Sequence, residues 1–357
     1  MTLKILQLVA FMGGGALVSY IINVLLLRFS ESLGIRNKND VVVRWSNQSK
    51  PSLGGISFFV VFLFSAIGFS MVFSEDPSIF INPQYIGLFI SGSMAFIMGL
   101  ADDAYNTKPM AKLLVQIACG VVFVASGTII DLTHNFWIDG LLTIIWVIAV
   151  MNSLNMLDNM DGITGTVVTF ILAACLVSSF LIYEFNRNIW SIMIVAQIGA
   201  MLGFLKLNVH PSKLFMGDAG SQFISLFVAF FAVNHLWNAG QRIESPSWTG
   251  MLICIVAFTP SIVDTLTVVI NRLKKGQSPM VGGKDHTTHH LVYAGFNDKQ
   301  VWYIFLLISV LSLLFSALMI YFILLKVYWP LFVFILYFVI VFSMLYRLTI
   351  KYGHKVK

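Results

Sequence analysis

A 357-residue chain that is 58% hydrophobic and only 11% charged falls outside the ordinary soluble class, where charged residues run at about 25%. Its formal charge of +6 calls for no nucleic-acid partner, because the excess lies beside the ends of apolar segments, where Lys and Arg meet anionic membrane lipid. Apolar runs of roughly 17 to 25 residues recur along the chain, the length of a helix that crosses a bilayer core. Backbone in lipid must satisfy its own hydrogen bonds, and the alternating pattern of a membrane barrel is absent. The expected fold is therefore all-α, a polytopic integral membrane protein forming a single transmembrane domain over 1–357.

Eleven spans are predicted, at 5–27, 54–73, 85–101, 112–130, 138–154, 163–183, 188–207, 219–237, 249–271, 300–325 and 328–346. Lys4 alone precedes the first apolar stretch and no small-residue cleavage site follows, which predicts a retained helix rather than a signal peptide. The connectors alternate in charge. Those on the side of the first connector, together with the C-terminal tail, carry 18 Lys and Arg, among them Arg36, Lys38, Arg44, Lys50, Lys112, Arg272, Lys274, Lys275, Lys355 and Lys357. The other side carries Lys4, Arg187, Arg242 and Lys326. The positive-inside rule makes the richer side cytoplasmic, with the N-terminus outside and the C-terminus inside. Cys119, Cys175 and Cys254 each sit in an apolar run, an odd number at lipid depth that argues against a disulfide framework or a zinc knuckle.

Polar clusters fall at span ends on that one side, beginning with Lys50-Pro51-Ser52 before the second span. Asp102 and Asp103 close the third span. Neighbouring carboxylates beside lipid need water, a metal or a cation to compensate them, and Lys112, nine residues past Asp103, can face them across a tight turn. An interfacial acidic cap with snorkelling lysines is the other reading. Asn152, Asn155, Asp158 and Asp161 recur every three residues, which puts three of them on one helical face. Amide carbonyls and carboxylates are hard oxygen ligands suited to Mg²⁺, and such a stripe at lipid depth demands a polar cavity.

In FMGDAGS, glycines flanking Asp218 let backbone approach a ligand, and the helix start offers N–H groups to an anion. Capping of that helix is the alternative role for Asp218. Asn208 and Pro211 lie just upstream. Asp264, inside the ninth span, is an intramembrane carboxylate and functional by default, with no partner evident in the sequence. His286, His289 and His290, at i, i+3 and i+4, share a face if that segment is helical. With no Cys or Glu at zinc spacing, phosphate binding is favoured over a metal triad.

At KPSLGGI, GLADDAYNTKPMAKLL, NSLNMLDNMDGITG, NVHPSKLFMGDAGS and GKDHTTHH, in that order, the chain resembles the polyprenyl-phosphate N-acetylhexosamine-1-phosphate transferase family of glycosyltransferase family 4 type. The likeness runs over nearly the whole length. It looks closer to the bacterial branch that starts O-antigen, enterobacterial common antigen or teichoic-acid linkage units (WecA- and TagO-like) than to the peptidoglycan (MraY-like) branch, which usually shows three consecutive histidines. Two departures stand out. The family's usual Asp-Gly-x-Asp-Gly reads Asp158-Asn159-Met160-Asp161-Gly162 here, and the histidines read H-x-x-H-H, one residue longer than the common H-x-H-H.

Carried over position by position, the resemblance implies Mg²⁺ on Asp218 with Asn155 as second ligand, Mn²⁺ being the alternative ion. It implies Asp102 acting near the lipid phosphate and Lys112 on phosphate, with Asp103, Asp158 and Asp161 shaping the metal and substrate shell. His289 and His290 would meet the pyrophosphate or sugar, with Lys50, Asn208, Arg272 and His286 as further substrate-binding candidates. The implied reaction moves an N-acetylhexosamine-1-phosphate, GlcNAc-1-phosphate first, from a UDP-sugar to undecaprenyl phosphate and releases UMP, at the cytoplasmic face of the bacterial inner membrane. Related enzymes can form a homodimer. The runner-up within the family uses a UDP-MurNAc-pentapeptide. A secondary transporter, from a different class, would place its carboxylates near the midplane and often show internal repeats, whereas here they gather at span ends.

Overall fold

The computed structural model describes residues 2–30, 50–72, 81–182, 189–279 and 282–353, which are helical with no strand among the described residues. The helices are α1 (Thr2–Ser30), α2 (Gly55–Val72), α3 (Pro83–Tyr105), α4 (Pro109–Ala125), α5 (Phe136–Leu157), α6 (Ile163–Ile182) and α7 (Ile189–Asn208). They continue with α8 (Gly217–Ala232), α9 (Ala239–Arg242), α10 (Trp248–Ala257), α11 (Thr259–Lys274), α12 (Thr287–Tyr293), α13 (Asp298–Leu324) and α14 (Trp329–Tyr352). Among the described residues, 8 are long and apolar enough to cross a membrane, or 9 spans if α10 and α11 count as one broken span. The eleven-span expectation exceeds that count at α2 and α4, which are shorter apolar helices where spans at 54–73 and 112–130 were expected. Of the charges behind the expected orientation, Arg36, Lys38, Arg44, Arg187, Lys355 and Lys357 lie outside the described residues.

The ninth span departs from expectation. Instead of one straight helix over 249–271, α10 and α11 meet at 81°. Pro260, at the start of α11, cannot continue a helical ladder. In lipid the carbonyls released by a break need new donors. Thr259 Oγ1 donates to the carbonyls of Ile255 (3.1 Å) and Val256 (2.9 Å), and Ser261 Oγ donates to that of Phe258 (3.1 Å). The span expected at 219–237 also changes character, passing from α8 into a π-turn over Val233–Trp237.

The α8 span is the axle of the bundle, with 94% of its apolar window buried against 11% for α1 and 17% for α14. Lipid tails are as apolar as side chains, so such a helix is held by close packing rather than by exclusion from water. Phe223 and Phe227 meet Phe62 of α2, and Phe230 meets Phe123 of α4, at ring separations of 5.5, 6.1 and 5.5 Å. Gly55 of α2 and Gly220 of α8 touch backbone to backbone, leaving no room for a Cβ at either. That contact brings the two preceding loops into register: Phe215 donates to Pro51 (2.9 Å), Gly54 to Phe215 (3.0 Å) and Gly55 to Met216 (2.9 Å). Cys119, Cys175 and Cys254 are buried and free.

Candidate active site

The end of the bundle where α8 begins carries the densest chemistry. Asp102, at the last turn of α3, forms an ion pair with Lys112 through Oδ2. Its Oδ1 accepts from the backbone N (2.8 Å) and hydroxyl (2.6 Å) of Thr107. The short α3–α4 connection makes this possible: α3 ends at Asn106 in the left-handed region and Pro109 starts α4, so Lys112 returns over Asp102. The Asp218 carboxyl lies within hydrogen-bonding reach of Asp102, and the Lys112 charge acts on both.

Asp103 does something different from its neighbour. Its Oδ1 accepts from the Asp218 N–H (3.1 Å) and its Oδ2 from Ala219 N–H (2.9 Å), so Asp103, rather than Asp218, caps α8. Gly217 sits at φ +77, and a side chain there would run into Ser52 and the Asp103 carboxylate, so only glycine permits the turn into the cap. One helical turn inward lies a layer of amides. Gln116, four residues past Lys112, donates to Gln222, four past Asp218, at 3.2 Å, and Asn152 donates to Gln116 at 2.7 Å. Asn155 is a turn nearer the end of α5 than Asn152.

The expected four-residue stripe is only half helical. α5 ends at Leu157, Asp158 is its C-cap, and Asp161 lies in the turn beyond. Asp161 accepts from the Ser212 hydroxyl (2.7 Å) and N–H (3.0 Å) and from His210 (3.3 Å), while Lys50 reaches it at 3.8 Å and Ser212 at 3.0 Å. Asn208 accepts from Gly162 N–H (3.0 Å) and donates to Leu214 (2.8 Å). These bonds lock the 158–162 turn to the loop before α8, and they leave Asn208 and Asp161 engaged by protein.

On the other flank, Asp264 finds its partner. The buried carboxylate accepts from His286 Nδ1 (2.8 Å) and from the Thr287 N–H (2.8 Å) and hydroxyl (2.6 Å), fixing the start of α12. The three histidines therefore do not share one helical face as ligands: His286 precedes α12, and His290 bonds back to the His286 carbonyl at 2.8 Å. Arg272 grips Asp285 at 2.7 Å through two nitrogens and donates a third bond to Pro279 at 2.8 Å. Burial raises the Asp285 carboxyl, but the Arg272 guanidinium prevails and holds it below the usual carboxylate range. Burial pushes His289 down to about 3, helped by His286, and it lowers His290 as well. Both imidazoles are neutral at pH 7, and His290 spends its one ring N–H on the His286 carbonyl, which leaves its Nε2 as an acceptor.

Two carboxyl groups in contact repel when both are ionised, and a cation relieves them. Asp218 with the Asn155 carbonyl would supply two hard oxygens, and Mg²⁺ is ordinarily held by one or two carboxylates with water and substrate phosphates completing the octahedron. Among the described residues no three His, Cys, Asp or Glu converge to hold a metal alone. The donor set therefore fits Mg²⁺ shared with a substrate and does not fit a protein-only zinc centre. At the far end of the bundle, an open cavity of about 630 Å³ is lined by Asp131, His134, Gln241 and Glu244, apart from these carboxylates.

Sequence reasoning singled out Asn152 but missed Thr107, Asp285, Ser212 and the other two residues of the amide layer, Gln116 and Gln222. The i+4 spacing of Gln116 from Lys112 and of Gln222 from Asp218 was the available signal for that layer. Ser212 is visible only once the loop before α8 is brought to Asp161, whereas Thr107 and Asp285 lie within one connection of the Asp102 and Arg272 side chains they bind.

Polar groups from five loops meet at one end of the helical bundle, around a carboxylate pair and a lysine, and form the candidate active site. Residues 85–235, which hold the pair and its lysine, match the model of glycosyl transferase family 4. The chain is 26% identical to a probable undecaprenyl-phosphate N-acetylglucosaminyl 1-phosphate transferase of Bacillus subtilis, over 70% of this chain and 68% of that one. It is 24% identical to a decaprenyl-phosphate N-acetylglucosaminephosphotransferase of Mycolicibacterium smegmatis, over 82% and 76%. It is 28% identical to a phospho-N-acetylmuramoyl-pentapeptide-transferase of Lactococcus lactis, over 78% and 84%.

Proposed function

We propose that the protein transfers GlcNAc-1-phosphate from UDP-GlcNAc to a polyprenyl phosphate, undecaprenyl phosphate in the first instance, at the cytoplasmic face of a bacterial inner membrane. The carrying observation is the Asp102–Asp218 carboxyl pair closed by Lys112 at the start of the buried α8. Attack joins two anions, so the site must hold positive charge near paired carboxylates. Mg²⁺, held by Asp218 and Asn155, would supply charge neutralisation at the diphosphate. The acceptor oxygen attacks the β-phosphorus, the bond to the α-phosphate breaks, and UMP leaves with that electron pair.

A phosphate monoester with a second pKa of about 6 is largely dianionic at neutral pH and needs little deprotonation. Both oxygens of Asp102 are engaged, one by Thr107 and one by Lys112. That supports a role in orienting the acceptor, and a single displacement rather than an aspartyl-phosphate. Neutral His289 would donate a hydrogen bond to the sugar or pyrophosphate, His290 Nε2 would accept one from a sugar hydroxyl, and Lys50 and Asp158 would line the approach. Purified protein incubated with Mg²⁺, undecaprenyl phosphate and a panel of UDP-N-acetylhexosamines should release UMP only when lipid and metal are both present. The mass of the lipid product names the sugar. UDP-MurNAc-pentapeptide belongs in the panel, because the Lactococcus relative carries that reading; turnover with it alone would replace GlcNAc-1-phosphate as the donor group. Isolation of phosphorylated Asp102 without lipid would overturn the single displacement.

A further inference from the structure

The two walls of the site are anchored separately. The 158–162 turn is tied to the loop before α8 through Asp161 and Asn208. The α12 helix is tied to α11 through Asp264 and Arg272, and α11 to α5 by the bond from Thr265 to Ser153 at 2.8 Å. A short bond joins turn to helix directly: the Thr288 hydroxyl, 0% exposed, donates to Asn159 Oδ1 at 2.6 Å. Asn159 Nδ2 in turn donates to the Met156 carbonyl at 2.9 Å, so the acceptor is itself fixed. The bond closes a ring running α5, α11, α12 and back to the turn after α5. Its two ends are Asn159, within Asp158-Asn159-Met160-Asp161-Gly162, and Thr288, within His286-Thr287-Thr288-His289-His290.

We infer that the Asn159–Thr288 bond is a specificity latch, which sets the distance between the His289–His290 wall and the Asp158–Asp161 wall and thereby which N-acetylhexosamine is accepted. Asn159 and Thr288 are positioning residues and take no part in the displacement. The inference rests on the transferase reading above. Epimeric sugars differ by the direction of one hydroxyl, and a site discriminates between them only when its hydrogen-bonding groups on both walls are held in register. Loss of the latch leaves each wall attached to its own anchor while the spacing between them relaxes. Phosphoryl transfer at Asp102, Lys112 and Asp218 lies on other elements and keeps its geometry.

The test compares full-length wild type with Asn159→Gly, Thr288→Val, Thr288→Ser and the Asn159→Gly/Thr288→Val double variant, using UDP-GlcNAc and UDP-GalNAc in competition. The ratio of kcat/KM for the two sugars should shift about 3- to 10-fold in Asn159→Gly and Thr288→Val, the scale of one neutral hydrogen bond. The shift should fall mainly in KM for the nucleotide sugar, with KM for undecaprenyl phosphate unmoved. Thr288→Ser keeps the hydroxyl and should keep the wild-type ratio. The double variant should shift no further than either single one, because both remove the same bond. An unchanged ratio in both single variants, or an equal loss on both sugars and on the lipid, overturns the latch. Thermal unfolding midpoints identify any variant that fails through folding, and the Thr288→Ser comparison then decides. An active wild type with an unmoved ratio removes the latch alone. A wild type inert with every UDP-sugar removes the transferase reading and the latch together.

Discussion

Asp102 and Asp103 are neighbours in sequence with separate duties, one facing Lys112 and Asp218 and the other holding two backbone N–H groups of α8. The dyad and Lys112 were legible as a charged cluster; the division of labour was not, because it depends on where residues more than a hundred positions away begin a helix. On the proposed chemistry, Asp218→Asn should lower turnover about 100-fold or more, the scale of removing one preorganised charge-stabilising group. It should also flatten the Mg²⁺ dependence of the residual rate; wild-type-like activity at saturating Mg²⁺ would remove Asp218 from the metal. Asp264→Asn should act mainly on stability, by about 1.5–3 kcal/mol, since its charge-assisted bonds to His286 and Thr287 weaken while an amide oxygen still accepts. Denaturation midpoints alongside UMP release would separate these two, and equal loss of turnover in both would make the α12 clasp part of the chemistry.

The elements themselves were readable in place because span length follows bilayer thickness, and the structure puts apolar helices where each run was noted. Less readable were their interruptions. The ninth span was expected as one helix, yet it bends by 81° at Pro260, where the hydroxyls of Thr259 and Ser261 satisfy carbonyls at the break. The period-three run from Asn152 to Asp161 promised one face, yet the chain leaves the helix at Asp158 because Asp161 is drawn toward Ser212 and His210. The start of α8 yields a prediction at this scale. Asp103→Ala should lower stability by about 0.5–2 kcal/mol as an N-cap is lost, and Asp103→Asn, which keeps an acceptor, should recover part of it in the same unfolding assay. A loss confined to turnover would mean that Asp103 serves substrate rather than the helix.

Across the whole molecule, the charge alternation suggested that five clusters share an end, and pairwise contacts join their neighbours there: Lys50 with Asp161, Asp161 with Ser212, Asn159 with Thr288, and Asp103 with the Asp218 N–H. Which residue would meet which was not legible, since such pairings span the chain and leave no periodic trace. Burial of His289 carries a global consequence. With its folded value near 3 and an unfolded value of 6.5, the unfolded chain binds the extra proton between those limits, so stability rises with pH across that window. The slope is at most about 1.4 kcal/mol per pH unit. Asp285, held low by Arg272, adds a loss of the same sign in more acidic solution, where carboxylates protonate. Unfolding midpoints in detergent should fall as pH drops from 7 to 5, and His289→Gln should shrink that fall; an undiminished slope would assign it elsewhere. The Gly55–Gly220 contact reaches furthest. A methyl at either position would wedge α2 from α8, at about 1–3 kcal/mol, and shift Phe215, Met216 and the turn into Asp218 with it. A genetic screen for lost product would then rank a glycine that never meets substrate beside the aspartates that do, and only a folding measurement would sort the two kinds of defect.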